Sequence, residues 1–508
     1  MQRALFFLVS MIITTFTQIS RLSSYCIPVL SLSSKVLHCQ SFRYQVSSNR
    51  RQRISILRKQ QQQQQQQMTT ISMIGISHHD EMKQTVNDNC GVNKSATMIP
   101  LSSTNLEKCG ARLRQGGLVA FPTETVYGLG CNALDESAII KVFEAKERPL
   151  TDPLITHVTE NQVAFQLWAA DITTASSSTT TTTADSSSSL EGRAIQALCD
   201  TFWPGPLTLV AKAAPNVPPI LMANTGFVAC RSPQHPISIA LINAAKVPIA
   251  APSANKFGHI SPTRSHHVWD DLKNEDVWIV KEEEEEESTT KTSNDDDTSC
   301  CQVGVESSVA KIEMIAADNE KGRITLLRQG AVSLQDIQDC LTEAGLVDHF
   351  EVLALTKKAT DETVANVAPG QTIRHYSPDI PSFILSKSLP TLNTTTSDDE
   401  REFLRKSVLI DFGGKLKTWE NLSLAYRDLS EKADSAEATR GVFETLRWAE
   451  QIRDANQILF PEIAEDDDEV EEGGQACSPD ALTLALKDRL TRAASGVIID
   501  SLHTGIDK

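Results

Sequence analysis

The 508-residue chain has 65 acidic and 48 basic side chains, a formal net charge of -17, and is long enough for two or three domains. Sixteen of the acids lie in three runs, at 282–287, 295–297 and 465–472, so the remainder is nearly neutral, which excludes a protein that binds nucleic acid over its whole surface. Eleven scattered cysteines without a C-x-x-C pair exclude a zinc framework or a disulfide scaffold.

The first 80 residues have the charge pattern of a targeting segment. Basic residues interleaved with Ser and Thr precede Asp80, which is the first acid in the chain. The apolar stretch at 4–16 is too short for a membrane span, and polyglutamine follows at 60–67. We predict a disordered leader at 1–67 and a linker at 68–100. The leader favours a mitochondrion or plastid as an alternative to the cytoplasm, and a start at Met68 would omit it.

Helix and strand signals alternate from residue 101. The helix "NLEKCGARLRQ" is predicted to begin with a capping box of Thr104 and Glu107, and the helix "ESAIIKVFEAKE" follows Asp135. Apolar strands between and after these helices include "LVAF", "PLITHV", "PLTLVAKA", "FVACR", "VWIVK" and "ITLLRQG". The pattern predicts an α/β domain over 101–350 with a largely buried sheet, interrupted by disordered insertions at 171–190 and 282–299.

A second, smaller α/β domain is predicted at 382–506, after an extended linker at 356–381 that could act as a lid. Its strand "SVLIDFG" precedes the long helix "ATRGVFETLRWAEQI", and a further helix is predicted to start at Ser478 and Pro479. We expect it to be Rossmann-like, with a disordered acidic insertion at 464–477.

Cations follow several elements of the predicted first domain. Lys146 and Arg148 end a helix in "KERP", while Arg231 and Arg328 each end an apolar strand. One such cation is usually a solvated boundary residue or complements a helix dipole. Several around one sheet are better explained by a shared anionic ligand. The P-loop, the G-x-G-x-x-G fingerprint and the H-E-x-x-H motif are absent from the sequence.

Polar turns supply the other candidates. "PSANKFGHISPT" and "GVESS" offer hydroxyls and backbone N–H groups suited to phosphate oxygens, and "FPTETVYGLG" places two threonines after a strand. Gly128 and Gly130 are predicted to let the backbone bend back towards the next helix. Glu124 and Tyr127 are left without an assigned role.

The ordered motifs "FPTETVYGLG", "KERPLTDPLITHV", "FWPGPLTLV", "PIAAPSAN" and "GVESSV" resemble the YrdC-like family, specifically the two-domain threonylcarbamoyl-AMP synthases. The resemblance covers about 104–345, and "APGQTIRHYSP" is similar to the linker of that family. It implies a YrdC-like domain with a twisted mixed sheet. The implied reaction joins L-threonine, bicarbonate or CO2, and ATP into threonylcarbamoyl-AMP with release of pyrophosphate, supported by Mg2+. The product serves threonylcarbamoyladenosine modification of tRNA.

The resemblance also implies roles for individual residues. Those implied for L-threonine are Thr125, His157, Arg231, Ala251 and Ser307. Those implied for ATP are Arg148, Asp152, Phe227, Ser253, Ser261, Arg328 and Tyr376. Lys146, Arg148 and Arg328 are the implied catalytic cations, and no residue is assigned as a metal ligand. Two of these positions depart from the family. Asp152 stands where a neutral Asn is common, and Phe227 stands where a small hydroxyl residue is common.

Two other functions stay open at this point. A YrdC-like domain could be an RNA-binding module without synthase activity, or could transfer carbamoyl groups in hydrogenase maturation, a system that adds Cys-rich zinc modules. Contact with tRNA or with the downstream threonylcarbamoyl transferase is possible, and no stable membrane association is expected.

Overall fold

A computed structural model describes residues 94–169, 189–281, 301–315, 318–355, 365–370, 375–387, 397–463 and 480–502. The predicted leader at 1–67, most of each predicted insertion and parts of the linker lie outside these residues. Within the described ranges, every helix is too short or too polar to cross a bilayer.

The first domain is built on one mixed sheet of eleven strands, counted over the described residues. Its strands are β1 (Thr97–Pro100), β2 (Leu118–Phe121), β3 (Gly128–Asn132), β4 (Ile155–His157), β5 (Leu207–Lys212), β6 (Phe227–Arg231), β7 (Ile249–Ala250), β8 (Val277–Lys281), β9 (Ser308–Ile315), β10 (Asp318–Arg328) and β11 (Phe350–Ala354). Their order across the sheet is β1-β8-β2-β3-β7-β4-β6-β5-β9-β10-β11. The predicted α/β class with a mixed sheet is confirmed.

Helices cover this sheet because each has an apolar face. They are α1 (Ser103–Arg114), α2 (Glu136–Lys146), α3 (Asn161–Leu167), α4 (Leu190–Phe202), α5 (Pro236–Ala245), α6 (Ser265–Leu272) and α7 (Leu334–Glu343). Ile139 and Val142 of α2 pack with Leu129 of β3 in a cluster of fully buried side chains. Burying each such side chain contributes about 1.5 to 3 kcal/mol.

Three boundaries differ from the sequence prediction. The sheet begins at Thr97, inside the segment predicted to be a linker. Helix α1 is capped by Ser102, whose Oγ accepts the N–H of Asn105 at 3.1 Å, so the capping box assigned to Thr104 is wrong. Helix α4 begins at Leu190 with Ser189 as its cap, so the insertion predicted to reach residue 190 ends earlier.

The second domain has a parallel sheet of five described strands, as predicted for a Rossmann-like unit. They are β12 (Ser382–Leu385), β13 (Ser407–Asp411), β14 (Ala425–Asp428), β15 (Gln457–Pro461) and β16 (Ile498–Ile499), in the order β14-β13-β15-β12-β16. Its helices are α8 (Asp398–Arg405), α9 (Ser435–Glu450) and α10 (Ala481–Ala493). Helix α10 has Asp480 as its N-cap residue, and the predicted start at Ser478 lies outside the described residues.

The two domains share a buried apolar cluster. Val126 and Val305 of the first domain and Tyr376 of the linker pack with Phe443 of α9 and Leu486 of α10. Ion pairs also cross this junction, including Arg447 to Asp271 at 3.1 Å. The second domain is therefore packed directly against the loops that end the strands of the first.

Candidate active site

The hairpin loop between β2 and β3 is fixed by its own hydroxyl groups. Thr123 Oγ1 accepts the backbone N–H groups of Thr125 and Val126, each at 3.2 Å, and donates to the Val126 carbonyl at 2.7 Å. The loop is buried, so these bonds are shielded from water. The side chain of Thr125 is thereby held facing a pocket at the strand ends.

Gly128 and Gly130 serve close packing rather than the predicted bend, because both lie within β3. A Cβ on Gly128 would come within 3.1 Å of the Ala251 Cβ, and one on Gly130 within 2.8 Å of the Phe121 ring. The N–H of Leu129 donates to the Pro252 carbonyl at 2.8 Å. The missing side chain of Gly128 thus lets the turn that carries Ser253 lie against the strand, and that of Gly130 makes room for the Phe121 ring.

Arg231 ends β6 and holds two groups of the hairpin loop. Its Nη2 pairs with Glu124 Oε1 at 2.6 Å, and its Nη1 donates to Thr125 Oγ1 at 2.9 Å. Burial raises the pKa of Glu124, but the Arg231 guanidinium outweighs it and holds that pKa below its usual value. Glu124, which the sequence left unassigned, therefore fixes the orientation of the Arg231 guanidinium.

His157 lies beside this pair at the end of β4. Burial, together with the Arg231 charge, lowers its pKa from 6.5 to about 3, so the imidazole is neutral at physiological pH. Its Nδ1 is buried and has no hydrogen-bond partner among the described residues. A neutral ring nitrogen in the pocket wall can donate to or accept from a ligand hydroxyl.

Arg148 follows α2 and is held by the turn after it. Its Nε donates to the Asp152 carbonyl at 3.0 Å, its Nη2 to the Pro153 carbonyl at 2.8 Å, and Nη2 also pairs with Asp152 Oδ2 at 2.8 Å. Burial raises the pKa of Asp152 despite this partner. Asp152 is not among the residues that line the pocket, and its carboxylate pairs with Arg148 instead of facing the cavity.

Arg328 ends β10 and contacts the turn before β9. Its Nε donates to the Ser307 carbonyl at 3.0 Å and its Nη2 to Ser307 Oγ at 3.2 Å. Ser307 Oγ also bonds Thr208 Oγ1 at 2.8 Å. Ser307, which is predicted to bind L-threonine, therefore also contacts Arg328, which is predicted to bind phosphate.

Three other predicted residues do not reach the pocket wall. Lys146 is fully buried and donates to the carbonyls of Ser253 and Asn255 at 2.6 and 2.5 Å, so it braces their turn. Burial and the nearby Arg148 charge lower its pKa well below its usual value. The Ser261 hydroxyl donates to Glu306 Oε1 at 2.5 Å, and the Phe227 ring packs under Lys311 Nζ at 4.0 Å.

One pocket gathers the remaining predicted residues. The predicted residues in its wall are Thr125, Arg148, His157, Arg231, Ala251, Ser253, Ser307, Arg328 and Tyr376. The residues that the sequence analysis missed are Thr123, Val126, Gly128, Ile155, Pro252, Glu306, Pro369, Gly370 and His375. Glu306 and His375 were visible within the motifs "GVESS" and "RHYSP", next to residues that were selected.

Linker residues form one side of the pocket. Tyr376 has a left-handed backbone with φ of 61°, is fully buried, and packs its ring on Phe443 of α9 with centroids 5.3 Å apart. Its hydroxyl has no hydrogen-bond partner among the described residues. The cavity has a volume of about 50 Å³, enough for a few waters, whereas small-molecule pockets usually have roughly 300 to 1,000 Å³. The linker thus leaves a small cavity in the described conformation.

Known protein families match both domains. Residues 111–293 match the family described as "Telomere recombination", and residues 332–495 match "Threonylcarbamoyl-AMP synthase, C-terminal domain". Threonylcarbamoyl-AMP synthase of Schizosaccharomyces pombe is 31% identical over 424 residues, which are 80% of this chain and 92% of that protein. The Bacillus subtilis synthase is 30% identical over 410 residues, 78% of this chain and 96% of that protein.

An archaeal relative is similar in both sequence and structure. The Pyrococcus abyssi synthase is 35% identical over 266 residues, but the match spans only 63% of its length and 52% of this chain. The crystal structure of P. abyssi Sua5 complexed with L-threonine superposes with a TM-score of 0.56 at 28% identity, covering 80% of this chain and 98% of that one. The chain belongs to the threonylcarbamoyl-AMP synthase family.

Proposed function

We propose that this enzyme condenses L-threonine, bicarbonate and ATP into threonylcarbamoyl-AMP and pyrophosphate. The supporting observation is that one pocket brings Thr125, His157 and Arg231 together with Arg148 and Arg328. The first three can recognise an amino acid with a hydroxyl, and the two arginines can hold phosphates. The product would supply tRNA modification.

L-Threonine would occupy the end of the pocket around Arg231. Its carboxylate needs a fixed cation, and the Arg231 guanidinium is held by Glu124 and Thr125 for this purpose. Its hydroxyl can bond the unpartnered Nδ1 of His157. An amino acid without that hydroxyl would leave the buried nitrogen unsatisfied, which is the basis for selecting threonine.

The triphosphate would lie between Arg148 and Arg328. Attack of the carbamate formed on the threonine amine at the α-phosphorus gathers negative charge on that centre and on the leaving pyrophosphate. The two buried guanidinium groups stabilise that charge by position and electrostatics, without a covalent intermediate. Lys146 contributes by holding the Ser253 turn rather than by touching phosphate.

Mg2+ would enter as part of the MgATP substrate. Among the described residues in the pocket wall, Glu306 is the only carboxylate, and it already bonds Ser261 and Arg489. A single carboxylate with these partners does not form a binding site for a resident cation. Mg2+ commonly keeps waters and binds substrate phosphates, so it would lower the charge of the triphosphate that the arginines receive.

ATP entry would require the pocket to widen, since a cavity of about 50 Å³ is too small for a nucleotide. Pro369, Gly370, His375 and Tyr376 of the linker are the wall that can withdraw without disturbing the sheet. Their return would exclude water from a product that hydrolyses readily.

The test is release of pyrophosphate by the purified protein with MgATP. We expect release to depend on both L-threonine and bicarbonate, with threonylcarbamoyl-AMP identified by mass spectrometry. Two analogues serve as matched controls in place of threonine. Serine tests the role of the methyl group, and 2-aminobutyrate tests the role of the hydroxyl. Binding of RNA by a folded protein that releases no pyrophosphate would favour the RNA-binding alternative instead.

A further inference from the structure

The pocket wall contains a carboxylate that the proposed reaction does not use. Glu306 is buried and directly precedes Ser307, which bonds Arg328. A carboxylate beside a phosphate site opposes binding unless another group fixes it. The residues that bind Glu306 therefore affect how the pocket can bind phosphate.

Arg489 of α10, in the second domain, binds this carboxylate. Its Nε donates to Glu306 Oε2 at 2.9 Å and its Nη2 to the Glu306 backbone carbonyl at 3.3 Å. Its side chain is completely buried, and its guanidinium carbon lies 5.2 Å from the centre of the Tyr376 ring. The guanidinium thus fixes both the side chain and the backbone of Glu306.

The other oxygen of Glu306 is bound by a residue of the first domain. Oε1 accepts the Ser261 hydroxyl at 2.5 Å. Two residues earlier, a Cβ on Gly304, where φ is 75°, would overlap the backbone of Thr439 and Arg440 in α9. The loop at 304–307 is consequently held against the second domain at two points.

Helix α10 also holds the linker. Arg492 Nη1 donates to the Gly370 carbonyl at 2.6 Å, and Asp488 Oδ2 accepts from both Arg489 and Arg492 at 2.9 Å. Gly370 lies close to Arg328, since a Cβ there would be 3.4 Å from Arg328 Nη1. One helix therefore contacts two walls of the nucleotide end.

A specific consequence follows if the Arg489 charge is removed. Glu306 would be left as a buried anion, and a cation within reach of its loop is Arg328. Pairing with Glu306 would draw Arg328 away from the place where phosphate binds. Arg231, at the threonine end, has its own carboxylate in Glu124 and would be affected less.

We propose that Arg489 is a positioning residue for the nucleotide: by holding Glu306, it keeps Arg328 available to the triphosphate. The second domain would then be required for ATP use rather than for threonine recognition. This inference rests on the proposed function for the identity of its ligands.

The experiment measures binding of α,β-methylene-ATP and of L-threonine by calorimetry in the full chain. We expect Arg489→Met to weaken binding of the nucleotide at least tenfold and that of threonine less than threefold. The double variant Arg489→Met/Glu306→Gln, which removes the anion as well, should recover most of the nucleotide affinity. Arg489→Lys, which keeps the charge but not the paired hydrogen bonds, should fall between wild type and Arg489→Met.

Glu444→Gln is the matched control, because Glu444 pairs with Arg264 at 2.8 Å across the same domain junction and both side chains are over one third exposed. It should bind both ligands as the wild type does. Equal loss of both ligands in Arg489→Met, or a double variant no better than the single one, would overturn the inference. If Arg489→Met does not fold, unchanged nucleotide affinity in Arg489→Lys would overturn it. Absence of pyrophosphate release by wild type, with this binding pattern intact, would count against the proposed function only.

Discussion

The two ends of the pocket draw on different parts of the chain. Under the proposed function, the threonine end would use Thr125, His157 and Arg231, which all belong to the first domain and lie on or beside its strands. The nucleotide end would use Arg148 and Arg328 of that domain, together with linker residues and two arginines of α10. Recognition of the amino acid would therefore need only the first domain, whereas recognition of the nucleotide would need contacts from both domains.

The arginines differ in a related way. Arg231 and Arg148 each have a buried carboxylate partner, in Glu124 and Asp152. For Arg328, the hydrogen bonds in the described part of the chain go to the carbonyl and hydroxyl of Ser307. A cation without its own carboxylate retains more attraction for an incoming phosphate, so Arg328 should contribute most to nucleotide binding.

The largest effect is expected for Arg231→Ala. Loss of a buried, hydrogen-bonded charge should reduce kcat/KM for threonine roughly 100- to 1,000-fold. Affinity for α,β-methylene-ATP should stay within about threefold of wild type. Because the variant leaves Glu124 unpaired, Arg231→Met/Glu124→Gln is the control for instability. A comparable loss of nucleotide binding in that folded control would contradict the division of the pocket.

The next effect separates Arg148 from Arg328. Replacing either by Ala should weaken nucleotide binding, roughly 10-fold for Arg148 and nearer 100-fold for Arg328. Only Arg148→Ala leaves a buried carboxylate without its cation, so its free energy of unfolding should fall about 3 kcal/mol further than that of Arg328→Ala. Denaturant unfolding measures this difference, and Arg148→Ala/Asp152→Ala should recover part of it. Equal stability of the two single variants would argue against the role given to Asp152.

A smaller effect is expected for Tyr376→Phe. The Tyr376 hydroxyl is buried and, among the described residues, has no hydrogen-bond partner, so its removal should leave the thermal midpoint equal to or above that of wild type. If the hydroxyl binds nucleotide, KM for ATP should rise roughly three- to tenfold. Threonine binding serves as the internal control. A lower midpoint with unchanged KM would show that the hydroxyl supports the fold instead.

The last effect concerns the pH dependence of stability at the domain junction and leaves the pocket unchanged. Burial lowers the pKa of His259, but Asp271 of α6 and Glu450 of α9 outweigh it and raise it from 6.5 to about 9. The protonated ring therefore contributes stability that is complete below pH 6.5 and is lost as pH rises to 9. In wild type, the free energy of unfolding should therefore fall by up to about 3 kcal/mol between pH 6.5 and 9, and His259→Asn should abolish this fall. If the variant and wild type have parallel pH profiles, the ring does not link the domains.

Sequence reasoning predicted the features that short segments determine. Apolar runs located several of the strands, and the cations that end β6 and β10 were expected to share one anionic ligand. The wrong cap at Thr104 reflects a choice between nearby hydroxyls, which differ little in propensity.

The features that sequence reasoning missed depend on distant partners. Glu124 acquired its role only when β6 brought Arg231 beside the hairpin loop. Nothing near Glu306 indicates Arg489, which lies 183 residues further along the chain. Such pairs are created by the fold and leave no local pattern.

The separation of Glu306 from Arg489 has a consequence for synthesis of the protein in the cell. A ribosome adds about 5 to 20 residues each second, so the 183 residues between them take roughly 10 to 40 s to make. During that interval the first domain can fold and present its threonine end, but the loop at 304–307 has no second domain to hold it. Under the proposed function, the nascent chain would thus become able to bind threonine first. It would become able to use ATP only after the second domain is made.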